Sequence, residues 1–189
     1  DEETAKTVTR PAAGEIKRAL GDWYYSTKEN ETLEEAVVRL LMKYDLTVST
    51  AESCTGGMIA ARLVNVAGVS EVFREGYVTY SNKAKRKLLK VGKNTLKEFG
   101  AVSKQTAEEM ARGGMEFSDS DVCIAVTGIA GPDGGTKEKP VGLVFGGCCV
   151  RGETEVEKWN FRGSRQEIRE QSAMAALDLL RRMILKNFR

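Results

Sequence analysis

Short β-like segments alternate with helix-like segments along most of this chain, and the alternation constrains the fold more than any other feature. The β-like segments are residues 46–51, 72–81, 121–128, 141–150 and 153–161. Helical patterns cover residues 33–44, 56–66, 82–90, a short stretch capped at Thr95, 103–117 and a long stretch from 164 onward, which opens with a capping-box sequence, Ser-Arg-Gln-Glu at 164–167. The last two β-like segments follow one another directly, which is typical of an antiparallel pair. We therefore predict an α/β sandwich in which a mixed sheet carries helices on both faces.

The main domain is predicted to begin at Thr32, because the sequence Thr-Leu-Glu-Glu at 32–35 matches a helix capping box. Residues 1–31 look different, with a short helix expected over 11–20, a strand over 22–26 and a polar linker after them. These elements are too few to bury a core of their own. We expect residues 1–31 to be an arm or the end of a preceding region, and residues 32–189 to form the domain.

The 189 residues include no histidine, which excludes Ser-His-Asp catalysis and any zinc site built on histidine. The four cysteines form no CxxC pair, so no metal site is expected. Three of them lie in apolar β-like sequence, which favours buried free thiols and a reducing, cytoplasmic setting. The net charge of +2 demands no polyanionic partner, and no apolar run reaches the length of a membrane span.

The turn at residues 51–57, Ala-Glu-Ser-Cys-Thr-Gly-Gly, lies between a β-like and a helical segment and holds a candidate nucleophile. Its serine and glycines suit a helix start, so one interpretation is purely structural. The functional interpretation is that Ser53 attacks a substrate while open N–H groups at Gly56 and Gly57 stabilise negative charge. Cys54 is a second candidate, since a helix N-terminus lowers a thiol pKa. The turn by itself leaves these interpretations open.

Without histidine, a nucleophilic serine needs a lysine, tyrosine or carboxylate partner, and residues 77–85 supply candidates. Tyr80 ends a β-like segment, and Lys85 lies in the first turn of the next helix. A cation there opposes the helix dipole, and burial lowers its pKa further. A lysine base requires this, because an ordinary lysine has a pKa of about 10.4 and stays protonated. The alternative is a solvated basic face, since several basic residues crowd positions 83–90.

Two further segments are candidates for substrate contacts. The sequence Thr-Gly-Ile-Ala-Gly-Pro-Asp-Gly-Gly at 127–135 follows a buried β-like segment, at the sheet edge where ligands bind in open α/β folds. A structural turn explains this pattern equally well, and residues 137–139 are expected to be its solvated far end. Arg165 starts the last helix, where a cation is unfavourable unless an anion lies nearby, and Arg169 shares its face.

Three motifs together resemble the CinA C-terminal-domain family: the turn at 51–57, Tyr-Ser-Asn-Lys-Ala-Lys at 80–85 and Gly-Ile-Ala-Gly-Pro-Asp-Gly-Gly at 128–135. The resemblance covers roughly residues 32–187, with the motifs in the family's order. Active members of that family are nicotinamide mononucleotide (NMN) deamidases, which release ammonia and nicotinate mononucleotide. The resemblance implies a three-layer αβα sandwich, self-association as a dimer or higher homo-oligomer, and no metal or organic cofactor.

Residue by residue, the resemblance implies that Ser53 is the nucleophile and that Tyr80 and Lys85 assist it. It implies substrate contacts from Thr55, Gly56, Gly57, Thr127, Gly128, Gly131 and Arg165. Neutral Lys85, with or without a relay through Tyr80, would take the serine proton, and an acyl-enzyme would form and then hydrolyse. The implied partners are a pyridine nucleotide, further copies of the chain and, in full-length relatives, a pyrophosphatase-like domain preceding this one. No membrane or nucleic-acid partner is expected.

Two rival hypotheses remain. CinA proteins are associated with natural competence, so the chain could be a non-catalytic nucleotide-binding or interaction module, and the basic stretch 83–97 suggests DNA. A net charge near zero and the lack of interleaved aromatic residues in that stretch argue against DNA. The second rival keeps the hydrolase but makes Cys54 the nucleophile.

Overall fold

A five-stranded mixed sheet with the order β2-β1-β3-β4-β5 organises the protein in a computed structural model that describes residues 2–188. The strands are β1 (Val48–Glu52), β2 (Phe73–Val78), β3 (Val122–Gly128), β4 (Leu143–Val150) and β5 (Glu153–Asn160). Strands β1, β2 and β3 are parallel, whereas β4 and β5 are joined antiparallel to them as a hairpin. This is the predicted mixed sheet.

The helices are α1 (Glu2–Leu20), α2 (Leu33–Lys43), α3 (Met58–Val64), α4 (Asn82–Leu89), α5 (Lys93–Glu98), α6 (Lys104–Ser118) and α7 (Arg165–Phe188). Both predicted capping boxes are present, at the starts of α2 and α7. The Thr32 side chain accepts from the Glu35 N–H, and the Glu35 carboxylate accepts from the Thr32 N–H. Among residues 2–188, none of these helices has both the length and the apolarity that a bilayer crossing requires.

Two apolar layers enclose the sheet, and β3 shows how the sequence builds them. Val122, Ile124 and Val126 point into the larger core, which contains side chains of α2, α3 and α7. Cys123 and Ala125 point into the smaller core on the other face, with side chains of α4 and α6. Strand alternation places successive side chains on opposite faces, so a strand with a run of consecutive apolar residues needs helices on both sides. The fold is therefore an α/β sandwich of three layers, as predicted.

The order β2-β1-β3 creates a switch point, because the chain leaves β1 toward β2 on one side and later returns to β3 on the other. In such sheets the crevice at the carboxyl ends of the strands binds ligands. Glu52, the last residue of β1, pairs with Val78 of β2 and Val126 of β3. The segments that follow these three strands therefore emerge side by side.

Two local predictions are wrong. Residues 22–26 form no strand; α1 runs to Leu20, a 3-10 turn covers Gly21–Trp23, and the chain is then irregular. Helix α5 begins at Lys93 with Gly92 as its N-cap rather than at Thr95. The Thr95 hydroxyl instead donates to the Glu109 carboxylate at 2.6 Å, which attaches α5 to α6.

Candidate active site

Three separate segments converge at the carboxyl edge of the sheet. Ser53 follows β1 and donates its N–H to the Val126 carbonyl of β3 at 2.9 Å. Thr79 follows β2 and donates its N–H to the Glu52 carbonyl of β1 at 2.8 Å. The strand register thus brings the turn after β1 beside the segments after β2 and β3. Motifs that lie far apart in sequence therefore form one site.

Ser53 and Lys85 are in direct contact. The Lys85 Nζ donates to the Ser53 Oγ at 2.8 Å and to the Thr79 carbonyl at 2.7 Å. Lys85 is fully buried and Ser53 is 8% exposed. Burial lowers the pKa of Lys85 to about 8, and the Cys54 thiol beside it only partly opposes that change. A lysine in this environment can lose its proton near neutral pH, as a general base requires.

Helix α4 places Lys85 at this position. The Ser81 hydroxyl caps the helix by accepting from the Ala84 N–H at 3.0 Å. Gly113 of α6 lies where an added Cβ would overlap the Leu89 carbonyl, so a glycine allows α6 to approach the end of α4. Packing of α6 against α4 therefore buries Lys85, although the sequence pattern would also allow Lys85 to lie on a solvated basic face.

Tyr80 lies at the mouth of the site rather than between the other two residues. Its side chain is 63% exposed, and its hydroxyl accepts from the Arg165 guanidinium at 3.1 Å. Arg165 also donates to the Gly131 carbonyl at 2.6 Å. Arg165 does start α7, as predicted, and in this structure its partners are a carbonyl and a hydroxyl. The structure brings Lys85 and Ser53 together and places Tyr80 beside Arg165.

A pocket of about 260 Å³ opens at this edge. Its lining comprises Ser53, Cys54, Tyr80, Lys85, Ala101, Val102, Thr127, Gly128, Ile129, Ala130, Gly131, Asp133, Gly134 and Arg165. It thus includes Thr127, Gly128, Gly131 and Arg165 but not Thr55, Gly56 or Gly57. The candidate nucleophile and base share a concave surface with backbone groups, an arginine and one carboxylate, the usual make-up of a small-molecule site.

The N–H groups of Gly56 and Gly57 are already bonded, so the expectation that they are open is wrong. The Gly56 N–H donates to the Ser53 carbonyl at 3.1 Å. The Glu52 carboxylate accepts from the N–H groups of Gly57, Ile59 and Ala60 at 2.9, 3.1 and 2.9 Å. Helix α3 begins at Met58, and the side chain that satisfies its N-terminus belongs to the protein itself.

Arg169 fixes the other side of the same turn. Its Nε donates to the Cys54 carbonyl at 3.0 Å, and its NH2 group donates to the Thr55 carbonyl at 2.9 Å. The turn is therefore held by a carboxylate from β1 and a guanidinium from α7. The prediction of a shared face for Arg165 and Arg169 is consistent with both reaching this edge, but the contact of Arg169 with the turn was not predicted.

Cys54 is a poor nucleophile in this structure. Its thiol is buried, and burial raises its pKa to about 11, although Lys85 and the N–H groups of Cys54 and Thr55 oppose the increase. The expectation of a lowered thiol pKa is wrong because α3 begins four residues later, with its N-terminus directed at Glu52. All four cysteines are free and buried, which confirms the prediction for the three that lie in apolar β-like sequence.

Two side chains connect the pocket walls. The Thr127 hydroxyl donates to the Ala101 carbonyl at 2.7 Å. The Lys139 Nζ donates to the carbonyls of Phe99 and Val102 at 2.6 and 2.8 Å. Lys139 was expected to be solvated with its neighbours, and that is wrong for this residue. It joins the loop after β3 to the loop before α6.

The contacts that Glu52, Arg169 and Lys139 make at the site were not predicted, and only the contact of Glu52 had a signal in the sequence. A carboxylate placed shortly before a helix start is a favourable arrangement with the helix dipole. No local pattern marks Arg169 or Lys139, because their acceptors lie 115, 114, 40 and 37 residues away.

Comparisons with known proteins agree on one family. The CinA C-terminal domain matches residues 30–184. A protein of Clostridium perfringens named as competence-damage inducible is 53% identical over 186 residues, which is 98% of this chain and 45% of that protein. A CinA-like protein of Kosmotoga olearia is 52% identical over 185 residues, again 98% and 45%. This chain spans less than half the length of these relatives.

Comparisons with solved structures indicate the same family. The competence damage-inducible protein A (ComA) of Klebsiella pneumoniae superimposes with a TM-score of 0.80 at 36% identity, covering 83% of this chain and 97% of that one. A competence/damage inducible protein of Agrobacterium tumefaciens superimposes with a TM-score of 0.75 at 44% identity, covering 82% and 97%. The chain belongs to the CinA C-terminal-domain family.

Proposed function

We propose that this protein is an amidohydrolase that converts NMN to nicotinate mononucleotide and ammonia, with Ser53 as nucleophile and Lys85 as base. The observation that carries the proposal is the buried contact between Lys85 Nζ and Ser53 Oγ at 2.8 Å. A buried lysine without a carboxylate partner is energetically unfavourable, and such groups are concentrated at catalytic sites. The resemblance of the three motifs to NMN deamidases supplies the substrate.

The reaction follows from the arrangement of these groups. Neutral Lys85 accepts the Ser53 hydroxyl proton as Oγ bonds to the carboxamide carbon. The C–N bond then breaks, the lysine proton passes to the leaving nitrogen, and ammonia departs. Water attacks the acyl-serine and restores Ser53, giving the carboxylate product. The pyridinium ring withdraws electrons from the amide and makes the carbon more electrophilic.

Arg165 is the residue we propose for the nucleotide phosphate. A guanidinium carries five N–H donors, and among the described residues Arg165 donates to two acceptors, the Gly131 carbonyl and the Tyr80 hydroxyl. The remaining donors can bind a phosphate at the pocket mouth. Tyr80 then has a supporting role, because its hydroxyl orients Arg165, in addition to the role that the resemblance assigns to it.

Incubation with NMN tests the proposal. We expect ammonia and nicotinate mononucleotide to appear in equal amounts, and nicotinamide, which lacks the ribose phosphate and the positive charge on the ring, to react far more slowly. A wild-type protein that releases no ammonia from NMN would contradict the proposed deamidase activity.

The Cys54 hypothesis has its own test. Cys54→Ala removes the thiol and keeps the backbone, so we expect ammonia release to stay within about threefold of wild type, because the thiol has a raised pKa and is not the nucleophile. Ser53→Ala is the matched variant and should reduce release by at least about 1,000-fold. Activity that survives Ser53→Ala and is lost with Cys54→Ala would select the thiol.

The alternative is a non-catalytic nucleotide-binding or competence-associated module, which the names of the relatives favour. Burial of Lys85 removes one cation from the basic stretch, which weakens the case for DNA. Nucleotide binding without turnover, unaffected by Ser53→Ala, would support this alternative.

A further inference from the structure

The peptide units on either side of Cys54 have their carbonyls held in fixed directions. The Ser53 carbonyl accepts from the Gly56 N–H at 3.1 Å, within the turn. The Cys54 carbonyl accepts from Arg169 Nε at 3.0 Å. In a trans peptide the N–H of the next residue points opposite to the carbonyl, and the cis peptide bond in this structure lies elsewhere, before Pro132. The N–H of Cys54 therefore points away from the turn interior, and that of Thr55 points away from Arg169.

Both N–H groups interact with the Cys54 thiol, which lines the pocket beside Ser53, although Thr55 itself is not part of the lining. By contrast, the N–H groups of Gly56, Gly57, Ile59 and Ala60 are used by the Ser53 carbonyl or the Glu52 carboxylate. Within the described part of this turn, Cys54 and Thr55 carry the N–H groups that have no oxygen acceptor.

We propose that Arg169 is a positioning residue that builds an oxyanion hole from the N–H groups of Cys54 and Thr55. This rests on the proposed amidase function and deepens it. The N–H of the residue after a nucleophilic serine is suitably placed for an oxyanion, because attack by Oγ puts the new negative charge next to that peptide. Arg169 has no direct contact with the substrate in this scheme; it acts through the two carbonyls that it binds.

The charge on Arg169 strengthens the same donors. A cation that hydrogen-bonds to a carbonyl polarises the peptide unit, so that its N–H becomes a better donor. The Cys54 carbonyl and the Thr55 N–H belong to one peptide unit, and Arg169 Nε bonds to that carbonyl. The effect is largest when charge develops on the substrate oxygen, so Arg169 is expected to influence kcat more than substrate affinity.

Two variants and a control test the proposal. Arg169→Met keeps the approximate side-chain length and removes both donor nitrogens, Nε and the NH2 group. Arg169→Lys keeps the positive charge and one donor nitrogen. Arg162→Met alters an exposed arginine just before α7 and serves as the control. With NMN, we expect Arg169→Met to reduce kcat by about 10- to 100-fold with little change in KM, and Arg169→Lys to recover part of the loss. Arg162→Met should behave as wild type.

A fluorophosphonate probe separates this inference from the choice of substrate. Its reaction forms a bond from Ser53 Oγ to phosphorus and releases fluoride, while Lys85 takes the serine proton; the phosphoryl oxygen occupies the oxyanion hole. We expect the rate of Ser53 labelling, measured by intact mass, to fall with Arg169→Met by a factor similar to that for kcat. This holds even if NMN proves not to be the substrate.

Three results would overturn the proposal: wild-type rates of labelling in both Arg169 variants, a fall in rate that only matches the loss of folded protein in thermal unfolding, or no labelling of Ser53 in the wild type. If Arg169→Met does not fold, Arg169→Lys decides. A slowed labelling rate at an unchanged unfolding midpoint then supports the role, and an unchanged rate contradicts it.

Discussion

At the scale of single residues, Lys85 combines burial with a hydrogen bond to Ser53. A fully buried ammonium is costly unless the surroundings stabilise it, and here its hydrogen-bond acceptors are neutral oxygens of Ser53 and Thr79. The consequence is a pKa near 8, below the ordinary lysine value. The lowered pKa that prepares Lys85 as a base must therefore also make the stability of the protein depend on pH.

Lys85→Met tests this link. Because the folded-state pKa is lowered, the unfolded chain binds more protons between pH 8 and 10.5, and the stability contributed by this group rises with pH through that window. The unfolding free energy of wild type relative to Lys85→Met should therefore increase by on the order of 3 kcal/mol from pH 7.5 to pH 10.5. Urea unfolding of both proteins at the two pH values measures the difference. A difference that is constant or decreases would contradict the lowered pKa.

At the scale of elements, Glu52 links the end of β1 to the start of α3. Its carboxylate is 1% exposed and accepts three backbone N–H groups. A charge on the helix axis at this end is stabilised by the helix dipole, and it fixes where α3 begins relative to Ser53. The position at which α3 begins thus determines the direction of the turn that carries Ser53.

Glu52→Gln should destabilise the fold by roughly 2 kcal/mol, because an amide nitrogen cannot accept and leaves at least one buried N–H group unsatisfied. Glu71→Gln, at an exposed position, is the matched control and should change little. Chemical denaturation gives both values. Equal stabilities for the two variants would show that the capping role is unimportant.

At the scale of the whole molecule, the catalytic proposal depends on the sheet and not on α1. Several apolar side chains of the first 23 residues are exposed, namely Val8 at 71%, Ile16 at 53%, Leu20 at 47% and Trp23 at 80%. Both apolar cores are built from residues 33 onward. This supports the proposed division of the chain into an arm and a domain beginning at residue 32.

Deletion of residues 1–20 is therefore expected to leave the domain intact. The thermal midpoint should stay within about 2 °C of wild type, and ammonia release should be unchanged. Calorimetry and the NMN assay are the measurements. A large fall in the midpoint would mean that the arm is part of the domain's folding unit.

The sequence allowed the three layers, the capping boxes and the Ser53 and Lys85 candidates to be predicted, because each depends on a local pattern or on a motif. It did not allow the partners of Arg169 or Lys139 to be predicted. Those contacts arise only when α7 and the loop before α6 come against the turn and loop that they bind. The N–H groups of Gly56 and Gly57 were misassigned as open for a related reason, since the Ser53 carbonyl and the Glu52 carboxylate bind them within the folded turn.

The pH dependence of ammonia release from NMN tests the central claim most directly. For wild type, kcat should rise tenfold per pH unit below a pKa of about 8 and level off above it, so that the rate at pH 6 is about 100-fold below the plateau. Ser53→Ala and Lys85→Met should show no such activity at any pH. A wild-type rate independent of pH between 6 and 8, or equal release by Ser53→Ala, would contradict a Ser53–Lys85 amidase.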